Sequence, residues 1–288
     1  MRNTTKLKQL AQQRSALTIP GAANAMFARV IEDLGFDAVY ATGAGIANMS
    51  LGAPDIGLTT VTEVAQAVAA MADAVDLPII VDADTGFGNS LNTVRTVRLL
   101  ERAGAAAIQI EDQVFPKRCG HFSGKAVIPI SEMVQKVRAC VDTRLDDDLM
   151  IIARTDARAI EGLDGAIARA HAYIEAGADM TFVEAPEDFG ELSRIGRELS
   201  VPQVANIVFG GKTPDPGRQK LAESGFAFVL YANAALQAAL HASREVLTAL
   251  RDEGRLDSVG DKLATFEARQ DAVSKGKWDA LEKKYDDK

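Results

Sequence analysis

Short apolar runs alternate with longer stretches of amphipathic spacing along most of the chain. In several places a helical pattern ends on a glycine and an apolar run follows within a few residues. Glycine adopts the left-handed conformation that closes a helix without steric cost, so each of these sites indicates a junction from helix to strand. The four glycines are Gly35, Gly104, Gly177 and Gly225. Two further apolar runs follow Pro78 and Pro202.

This pattern predicts strands that alternate with helices. The apolar runs show little alternation of apolar and polar residues, as expected of parallel strands that are covered on both faces. The predicted strands cover 17–19, 38–42, 79–82, 105–111, 150–154, 181–184, 203–206 and 228–231. Helical spacing of apolar residues fills the stretches between them, for example over 166–176. The alternation favours an α/β fold of the (β/α)8 TIM barrel type.

A doubly wound open sheet is the alternative architecture. The first strand leads into Pro20-Gly21-Ala22-Ala23, which lacks the glycine spacing of a dinucleotide-binding turn. No Ser- or Pro-rich linker divides the chain, so we predict one catalytic barrel domain over residues 1–255. The charged helical residues 256–288 lie beyond the barrel and are predicted to form a C-terminal arm, not an independent domain. This arm is either a surface helix or a contact with a neighbouring subunit.

Composition narrows the class of partner. The chain has 288 residues and a formal net charge of −8, and it shows no basic stripe, so we expect a small-molecule substrate and no nucleic acid. It has only two cysteines, Cys119 and Cys140, which favours free thiols in a reducing, cytoplasmic location. Residues 1–13 lack the apolar segment of an export signal, and no apolar run reaches about 18 residues, so we expect no membrane contact.

Polar side chains end most of the predicted strands. In a parallel barrel all the carboxyl ends open on one face, so residues that are distant in sequence meet there. Charged and amide groups that end apolar runs are costly unless they meet a metal, a substrate or each other. The residues are Thr42, Asp82, Asp84, Glu111, Asp112, Arg154, Asp156, Glu184 and Asn206. Their convergence predicts a catalytic face.

The acidic strand ends predict a hard-cation site. Asp82 and Asp84 are two residues apart, so they point the same way if the strand persists. Together with Glu111 they are predicted to hold Mg²⁺ directly or through its waters, with Mn²⁺ as the alternative. Zinc is disfavoured because the chain has no paired His or Cys spacing. A surface turn with solvated aspartates is the competing interpretation, and the position at a strand end favours the metal.

The run Lys117-Arg118-Cys119-Gly120-His121 follows the fourth strand closely. Cationic neighbours favour the thiolate, so Cys119 is predicted to be an acid or base with a lowered pKa, although a packing thiol is the common alternative. Arg154 suits a bidentate grip on a substrate carboxylate, and an ion pair with Glu184 is its alternative. Cys140 is predicted to lie in the core. No role is predicted for His171 or His241.

Seven sequence runs resemble the isocitrate lyase/phosphoenolpyruvate mutase superfamily, in particular its smaller carbon–carbon lyases. The most specific of them is Lys117–His121. The others are 41–45, 52–57, 81–88, 110–113, 153–156 and 183–186. The resemblance implies a barrel whose C-terminal helix is swapped between subunits of a homodimer or homotetramer, with Mg²⁺ holding the 2-hydroxy or 2-oxo carboxylate end of a substrate.

The same resemblance implies roles for individual residues. It implies that Asp84 binds the metal directly, and that Asp55, Asp82 and Glu111 bind it through water. Substrate contacts fall to Thr42, Gly43, Ala44, Gly120, Arg154 and Asn206. The implied catalytic set contains Cys119 as general acid together with Lys117, Arg118, His121 and Glu184.

The implied reaction cleaves the C2–C3 bond of a 2-hydroxy dicarboxylate to a 2-oxo acid such as pyruvate and a second carboxylate. Related enzymes that accept a third carboxylate carry an arginine after the eighth strand, whereas this chain has Tyr231-Ala232-Asn233-Ala234-Ala235-Leu236-Gln237. A 2-alkylmalate such as 2,3-dimethylmalate is therefore favoured over methylisocitrate. The alternatives are an oxaloacetate hydrolase or decarboxylase and a phosphonate-processing enzyme. A Schiff-base aldolase would need a lysine at a strand end, and a non-catalytic barrel would leave the charged strand ends unexplained.

Overall fold

The computed structural model describes residues 1–118 and 124–286, and these residues form eight strands that close into a parallel barrel. The strands are β1 (Leu17–Ala22), β2 (Val39–Ala41), β3 (Ile79–Asp82), β4 (Ala107–Glu111), β5 (Met150–Thr155), β6 (Met180–Val183), β7 (Gln203–Asn206) and β8 (Phe226–Tyr231). Each strand pairs with the next, and β8 pairs with β1 in the register Leu17↔Phe228 to Pro20↔Tyr231. The predicted (β/α)8 barrel is confirmed, and its closure excludes the open sheet.

Helices precede, connect and follow the strands. They are α1 (Asn3–Gln12), α2 (Ala25–Asp33), α3 (Gly43–Ile46), α4 (Val61–Ala74), α5 (Ser90–Arg102), α6 (Ile130–Thr143), α7 (Arg158–Glu175), α8 (Phe189–Glu198), α9 (Arg218–Glu223), α10 (Ala234–Glu253), α11 (Phe266–Ala272) and α12 (Lys275–Tyr285). A π-helical turn covers Ala47–Leu51 and a 3₁₀ helix covers Asp257–Lys262. The four junction glycines all have positive φ, between +79° and +104°, as the helix-ending pattern predicts.

Two apolar layers surround the strands. The barrel interior is filled by large side chains that include Tyr40, Ile80, Phe182 and Phe228. A second layer, which includes Met71, Leu100 and Tyr173, packs between the strands and the outer helices. Gly21 allows β1 to approach the end of β8, since a Cβ atom there would lie 1.9 Å from the carbonyl oxygen of Ala232. The packed core therefore holds the carboxyl ends of the strands close together around one opening of the barrel.

The C-terminal arm is two short helices and a 3₁₀ turn, where the sequence predicted one charged helical segment. None of the described side chains in these three elements is buried, and Phe266, Trp278 and Tyr285 are 73%, 63% and 72% exposed. The arm contacts its own barrel where Arg29 Nη1 donates a hydrogen bond to Ser274 Oγ over 2.8 Å. Its exchange between subunits stays a prediction, as does the division at residue 255.

Across the described ranges, no helix combines the length and the apolar composition that crossing a bilayer requires. The cytoplasmic location stays a prediction.

Candidate active site

A cavity of about 240 Å³ opens at the carboxyl ends of the strands. Polar side chains from β3, β5 and β7 and from the segments that follow β2, β4, β6 and β8 line it together with apolar side chains. The polar residues are Thr42, Asp55, Asp82, Lys117, Arg154, Glu184, Asn206 and Asn233. The apolar wall consists of Phe182, Val208, Phe209, Leu230 and Ala232. The structure thus brings together most of the strand-end residues that the sequence singled out.

The acidic residues of β3 and β4 form one cluster. The strand ends at Asp82, and Asp84 has a left-handed φ of +45°. Strand alternation therefore does not extend to Asp84, although the sequence predicted that it would direct both carboxylates to one face. They lie close together because Asp84 N donates to Asp82 Oδ1 over 3.2 Å. Gly43 borders both, since a Cβ atom there would lie 3.1 Å from Asp82 Oδ2 and 3.4 Å from Asp84 Oδ1. Glu111 joins the cluster through its backbone N–H, which donates to the carbonyl of Asp84 over 2.9 Å.

Burial makes these carboxylates unusual acids. Loss of solvent raises the pKa of Asp84 to about 6, although the Lys117 ammonium opposes this shift; the Asp82 carboxylate adds a smaller increase. Burial also raises the pKa of Glu111 well above its usual value, although Arg154 opposes the shift. Buried carboxylates that lie close together and have raised pKa values are common in catalytic centres.

Lys117 lies inside the acidic cluster. Its Nζ contacts Asp55 Oδ1 and lies 2.8 Å from Asp84 Oδ1. Burial lowers the pKa of Lys117, but the carboxylates of Asp84, Glu111, Asp82 and Asp55 together outweigh burial and hold that pKa well above its usual value. Lys117 is therefore a permanent ammonium in this arrangement.

The donor set fits a hard cation. All four predicted ligands, Asp55, Asp82, Asp84 and Glu111, are carboxylates, the ligand type that Mg²⁺ and Mn²⁺ prefer. One of their oxygens, Glu111 Oε1, is buried without a hydrogen-bond partner in residues 1–118 and 124–286. Within the same residues, no three His, Cys, Asp or Glu side chains lie close enough together to ligate one ion directly. An arrangement with one direct ligand and water-mediated contacts does not require such a group, and the ligand assignment stays a prediction.

Arg154 connects the acidic cluster to the other side of the mouth. Its Nε lies 2.8 Å from Asp156 Oδ2 and 3.3 Å from Glu111 Oε2, and its Nη2 lies 3.4 Å from Glu184 Oε2. The guanidinium stands 5.0 Å from the centroid of the Phe182 ring. The ion pair with Glu184 is therefore present. Nη1 has no protein partner in the described part of the chain, and one N–H edge remains for a ligand in the cavity.

The remaining predicted substrate contacts lie around the same opening. Thr42 caps α3, accepting from Gly45 N and donating to Asn233 Oδ1, each over 3.2 Å. Ala44 lines the cavity directly. Asn206 Nδ2 lies 3.5 Å from Glu184 Oε2, while Asn206 Oδ1 has no partner in the described residues.

Comparison with known proteins places this site in a family. A model of the phosphoenolpyruvate phosphomutase family matches residues 7–251. The chain belongs to this family. The 2,3-dimethylmalate lyase of Eubacterium barkeri is 43% identical over 285 residues, covering 99% of each chain. The 2-methylisocitrate lyase of Aeropyrum pernix is 44% identical over 259 residues, covering 90% of this chain and 83% of that one.

Solved structures of the phosphoenolpyruvate mutase/isocitrate lyase superfamily share the fold of this chain. A crystal structure of 2,3-dimethylmalate lyase has a TM-score of 0.93 and 31% identity, covering 99% of this chain and 95% of that one. Phosphonopyruvate hydrolase in complex with oxalate and Mg²⁺ has a TM-score of 0.89 and 28% identity, covering 99% of each chain. A divalent metal is therefore found in a structural neighbour.

The segment that carries the most specific family motif is only partly described. Cys119, Gly120 and His121 lie outside the described residues, so their predicted roles remain predictions. The Gln113 side chain binds both backbone polar groups of Arg118. Its Oε1 accepts from Arg118 N over 2.9 Å, and its Nε2 donates to Arg118 O over 2.8 Å. Beyond the motif, Lys125 Nζ lies 2.7 Å from Asp156 Oδ1.

Some residues at the site were missed by sequence reasoning. Tyr40 lines the cavity, and burial together with Asp82 raises the pKa of its phenol well above the usual value. Its place inside an apolar strand gave no chemical signal. Lys125 was missed because nothing in the sequence pairs it with a strand end.

Asp112 was placed with the catalytic strand ends, but it faces away from the cavity. Its carboxylate accepts hydrogen bonds from Thr155 Oγ1 and Tyr173 Oη, each over 2.7 Å, and from Asp156 N over 2.9 Å. Arg169 Nη1 lies 3.4 Å from the same group. Because successive residues of a strand face opposite sides, Glu111 points inward and Asp112 points to α7. Asp112 is therefore part of the framework behind the site.

The residues without predicted roles lie as expected. Cys140 is fully buried on α6, and burial raises the pKa of its thiol to about 12, which confirms a core position. His241 is exposed, with Nε2 3.5 Å from Glu245 Oε1 one turn later on α10.

Proposed function

We propose that this protein is a Mg²⁺-dependent carbon–carbon lyase that cleaves a 2-hydroxy dicarboxylate of the 2-alkylmalate type to a 2-oxo acid, such as pyruvate, and a second carboxylate. The observation that carries the proposal is the composition of the cavity. The cavity is lined by the buried carboxylates of Asp82 and Glu184, by the Arg154 guanidinium, whose Nη1 is unpaired among the described residues, and by the apolar side chains of Phe182, Leu230 and Ala232. Two relatives that are 43% and 44% identical are named 2,3-dimethylmalate lyase and 2-methylisocitrate lyase, respectively, so both are named as lyases of 2-hydroxy acids.

Different residues of this chain would bind the metal and the substrate. Asp84, with Asp55, Asp82 and Glu111, would hold the metal, and Mn²⁺ is the alternative ion. When bound, the metal supplies electrostatic stabilisation of negative charge on the substrate oxygens. Arg154 Nη1 is the donor for a substrate carboxylate, since its other nitrogens already contact Asp156, Glu111 and Glu184.

Cleavage of the C2–C3 bond requires one proton to leave the C2 hydroxyl and another to reach C3. A base takes the proton of the C2 hydroxyl, C2 becomes the carbonyl carbon of the 2-oxo acid as the C2–C3 bond breaks, and the electron pair of that bond passes to C3. We assign protonation of C3 to Cys119, with Lys117, Arg118, His121 and Glu184 shaping its environment. Glu184 borders the cavity next to Arg154 and can therefore reach a bound substrate.

The apolar wall favours an alkyl group at C3. Phe182, Leu230 and Ala232 offer no donor to a third carboxylate, and residues 232–237 include no arginine. A buried carboxylate without a partner is costly, whereas an alkyl group in the same place is stabilised by burial. We therefore expect 2,3-dimethylmalate to be cleaved better than methylisocitrate.

The exposed arm supports assembly. Phe266, Trp278 and Tyr285 present large apolar surfaces beyond the barrel, which is unusual for residues that stay in water. We propose that the arm packs on a second copy of the chain in a homodimer or homotetramer. Light scattering should then show a monomer or a weakened oligomer after Trp278→Ala.

A coupled assay for pyruvate across a substrate panel tests the function. The panel is 2,3-dimethylmalate, methylisocitrate, oxaloacetate and phosphonopyruvate, each with and without Mg²⁺. Pyruvate release from 2,3-dimethylmalate that needs Mg²⁺ is the expected result. Phosphate or acetate release from the last two, with no cleavage of the alkylmalate, would instead make the protein a hydrolase.

The acid role of the thiol has a matched control in the same chain. Cys119→Ser should abolish cleavage and leave Mg²⁺ affinity nearly intact, whereas Cys140→Ser changes a core thiol and should affect only thermal stability. Retained cleavage in Cys119→Ser would exclude the assigned role.

A further inference from the structure

Asp156 is a buried carboxylate that contacts the ligand-binding arginine but does not line the cavity. It is fully buried, and its two oxygens take both Arg154 Nε, over 2.8 Å, and Arg154 Nη2, over 3.2 Å. This bidentate geometry fixes the plane of the guanidinium, because both parallel hydrogen bonds must be satisfied together. The nitrogen left over is Nη1, and Arg154 borders the cavity.

The competing partners of Arg154 are longer contacts. Glu111 Oε2 lies 3.3 Å from Nε and Glu184 Oε2 lies 3.4 Å from Nη2, both beyond the corresponding Asp156 distance. Without the Asp156 carboxylate, the guanidinium would turn toward Glu111 and Glu184. Such a turn would move Nη1 away from the ligand position and pair Arg154 more closely with a predicted metal-binding carboxylate.

Asp156 is itself held from two directions. Lys125 Nζ lies 2.7 Å from Asp156 Oδ1, and the side chain of Lys125 is only 3% exposed. On the other side, Asp112 Oδ1 accepts a hydrogen bond from the backbone N–H of Asp156 over 2.9 Å. Lys125 supplies a second positive charge to Asp156, so the carboxylate stays ionised between two cations. The order of contacts is Lys125, Asp156, Arg154, cavity.

We propose that Asp156 is a positioning residue that directs Arg154 Nη1 into the cavity, and that Lys125 holds Asp156 in the required orientation. The ligand class is a small dicarboxylate whose carboxylate pairs with Nη1. The inference rests on the proposed function only in assigning a carboxylate to Arg154. It adds two residues, Asp156 and Lys125, which act on Arg154 from outside the cavity.

The chain contains a matched control for the ion pair. At the opposite end of the same strands, Arg144 Nη1 lies 2.6 Å from Asp179 Oδ2, outside the cavity. Asp156→Asn and Asp179→Asn therefore both remove the charge of an aspartate paired with an arginine. Only the first is expected to change ligand binding. Lys125→Met removes the charge that holds Asp156, and Lys125→Arg restores it.

Calorimetric titration with oxalate in saturating Mg²⁺ tests the inference without relying on turnover. Asp156→Asn should raise the oxalate dissociation constant, and the KM for 2,3-dimethylmalate, by at least about tenfold, with a smaller change in kcat. Lys125→Met should raise both by roughly threefold or more, and Lys125→Arg should return them to within about twofold of the parent. Asp179→Asn should leave both unchanged and lower only the melting temperature.

Several outcomes would overturn the inference. They are wild-type oxalate affinity in a folded Asp156→Asn variant, an equal loss in Asp179→Asn, and no recovery in Lys125→Arg. A parent protein that fails to bind oxalate would remove the carboxylate site and the inference with it. A parent that binds oxalate but cleaves no 2-hydroxy dicarboxylate would defeat the proposed function alone, because the binding comparison would still decide the roles of Asp156 and Lys125.

Discussion

The two ends of the barrel hold their buried charges in different ways. At the amino end, Arg144 pairs with Asp179, and the same carboxylate accepts from the backbone N–H of Ile151 over 2.8 Å. At the carboxyl end, Asp82, Asp84 and Glu111 lie together, and burial raises the pKa of Asp84 to about 6. Charges at the amino end satisfy each other. The carboxylates at the carboxyl end share the Lys117 ammonium, but burial outweighs its attraction at Asp84, so like charges are kept together at a cost in stability, as expected where a site is built for a cation or a substrate.

The sharpest way to test this contrast is to remove Asp84. Asp84→Asn should lower kcat/KM by at least about a thousandfold and abolish Mg²⁺ binding, because it deletes the predicted direct ligand. Its melting temperature in the absence of metal should stay the same or rise, since the change removes a buried charge whose loss of solvation outweighs its attraction to Lys117. Activity assays, calorimetry and thermal unfolding measure the three quantities. A variant that binds Mg²⁺ like the parent would contradict the ligand assignment.

The second prediction compares two lysines that each bind a backbone carbonyl at opposite ends of the barrel. Lys136 Nζ, which is buried on α6, donates to the carbonyl of Thr85 over 3.1 Å, next to Asp84. Lys8 Nζ donates to the carbonyl of Asp147 over the same distance. Lys136→Met should weaken Mg²⁺ binding by roughly tenfold, because it frees the loop that orients Asp84.

Lys8→Met is the control, and it should leave Mg²⁺ affinity unchanged. Equal metal affinity in the two variants, measured by calorimetry, would show that the Thr85 contact serves only the fold.

The same contrast explains what the sequence could and could not predict. The barrel followed from local signals: glycines with positive φ end helices at Gly35, Gly104, Gly177 and Gly225, and apolar runs follow them. The list of polar strand ends followed from parallel topology alone. Both predictions, the barrel and the list of strand ends, depend on backbone rules that operate within a few residues, so the sequence of one chain is enough to make them.

Side-chain direction and long-range pairing were harder to predict. Asp112 was grouped with Glu111, although strand alternation sends it to the outer layer, where it meets Tyr173. Asp82 and Asp84 meet by a left-handed turn instead of continued strand geometry. Lys125 reaches Asp156 across 31 positions of sequence, and nothing local marks that contact. Pairings of this kind are set by packing of the whole barrel.

The third prediction concerns the paired charges of the amino end. Arg144 Nη1 donates to Leu149 O over 2.7 Å and pairs with Asp179, and both side chains are largely buried. Arg144→Met should lower the free energy of unfolding by about 2 kcal/mol, since it leaves a partly buried carboxylate without its cation. Denaturant unfolding measures the change. Oxalate and Mg²⁺ affinities should match the parent, and a loss of either would mean that the two ends are coupled.

The smallest effect is expected where a charge pair is exposed. Arg2 lies 3.1 Å from Asp146 and 3.4 Å from Asp148, but its side chain is 67% exposed. Water screens such pairs and ordering the long side chain opposes them, so Arg2→Ala should change the unfolding free energy by no more than about 0.5 kcal/mol. Denaturant unfolding in low and high salt would detect a larger contribution as a salt-dependent difference. If Arg2→Ala lowered the unfolding free energy as much as Arg144→Met, the exposure of a charge pair would not determine how much that pair stabilises the amino end.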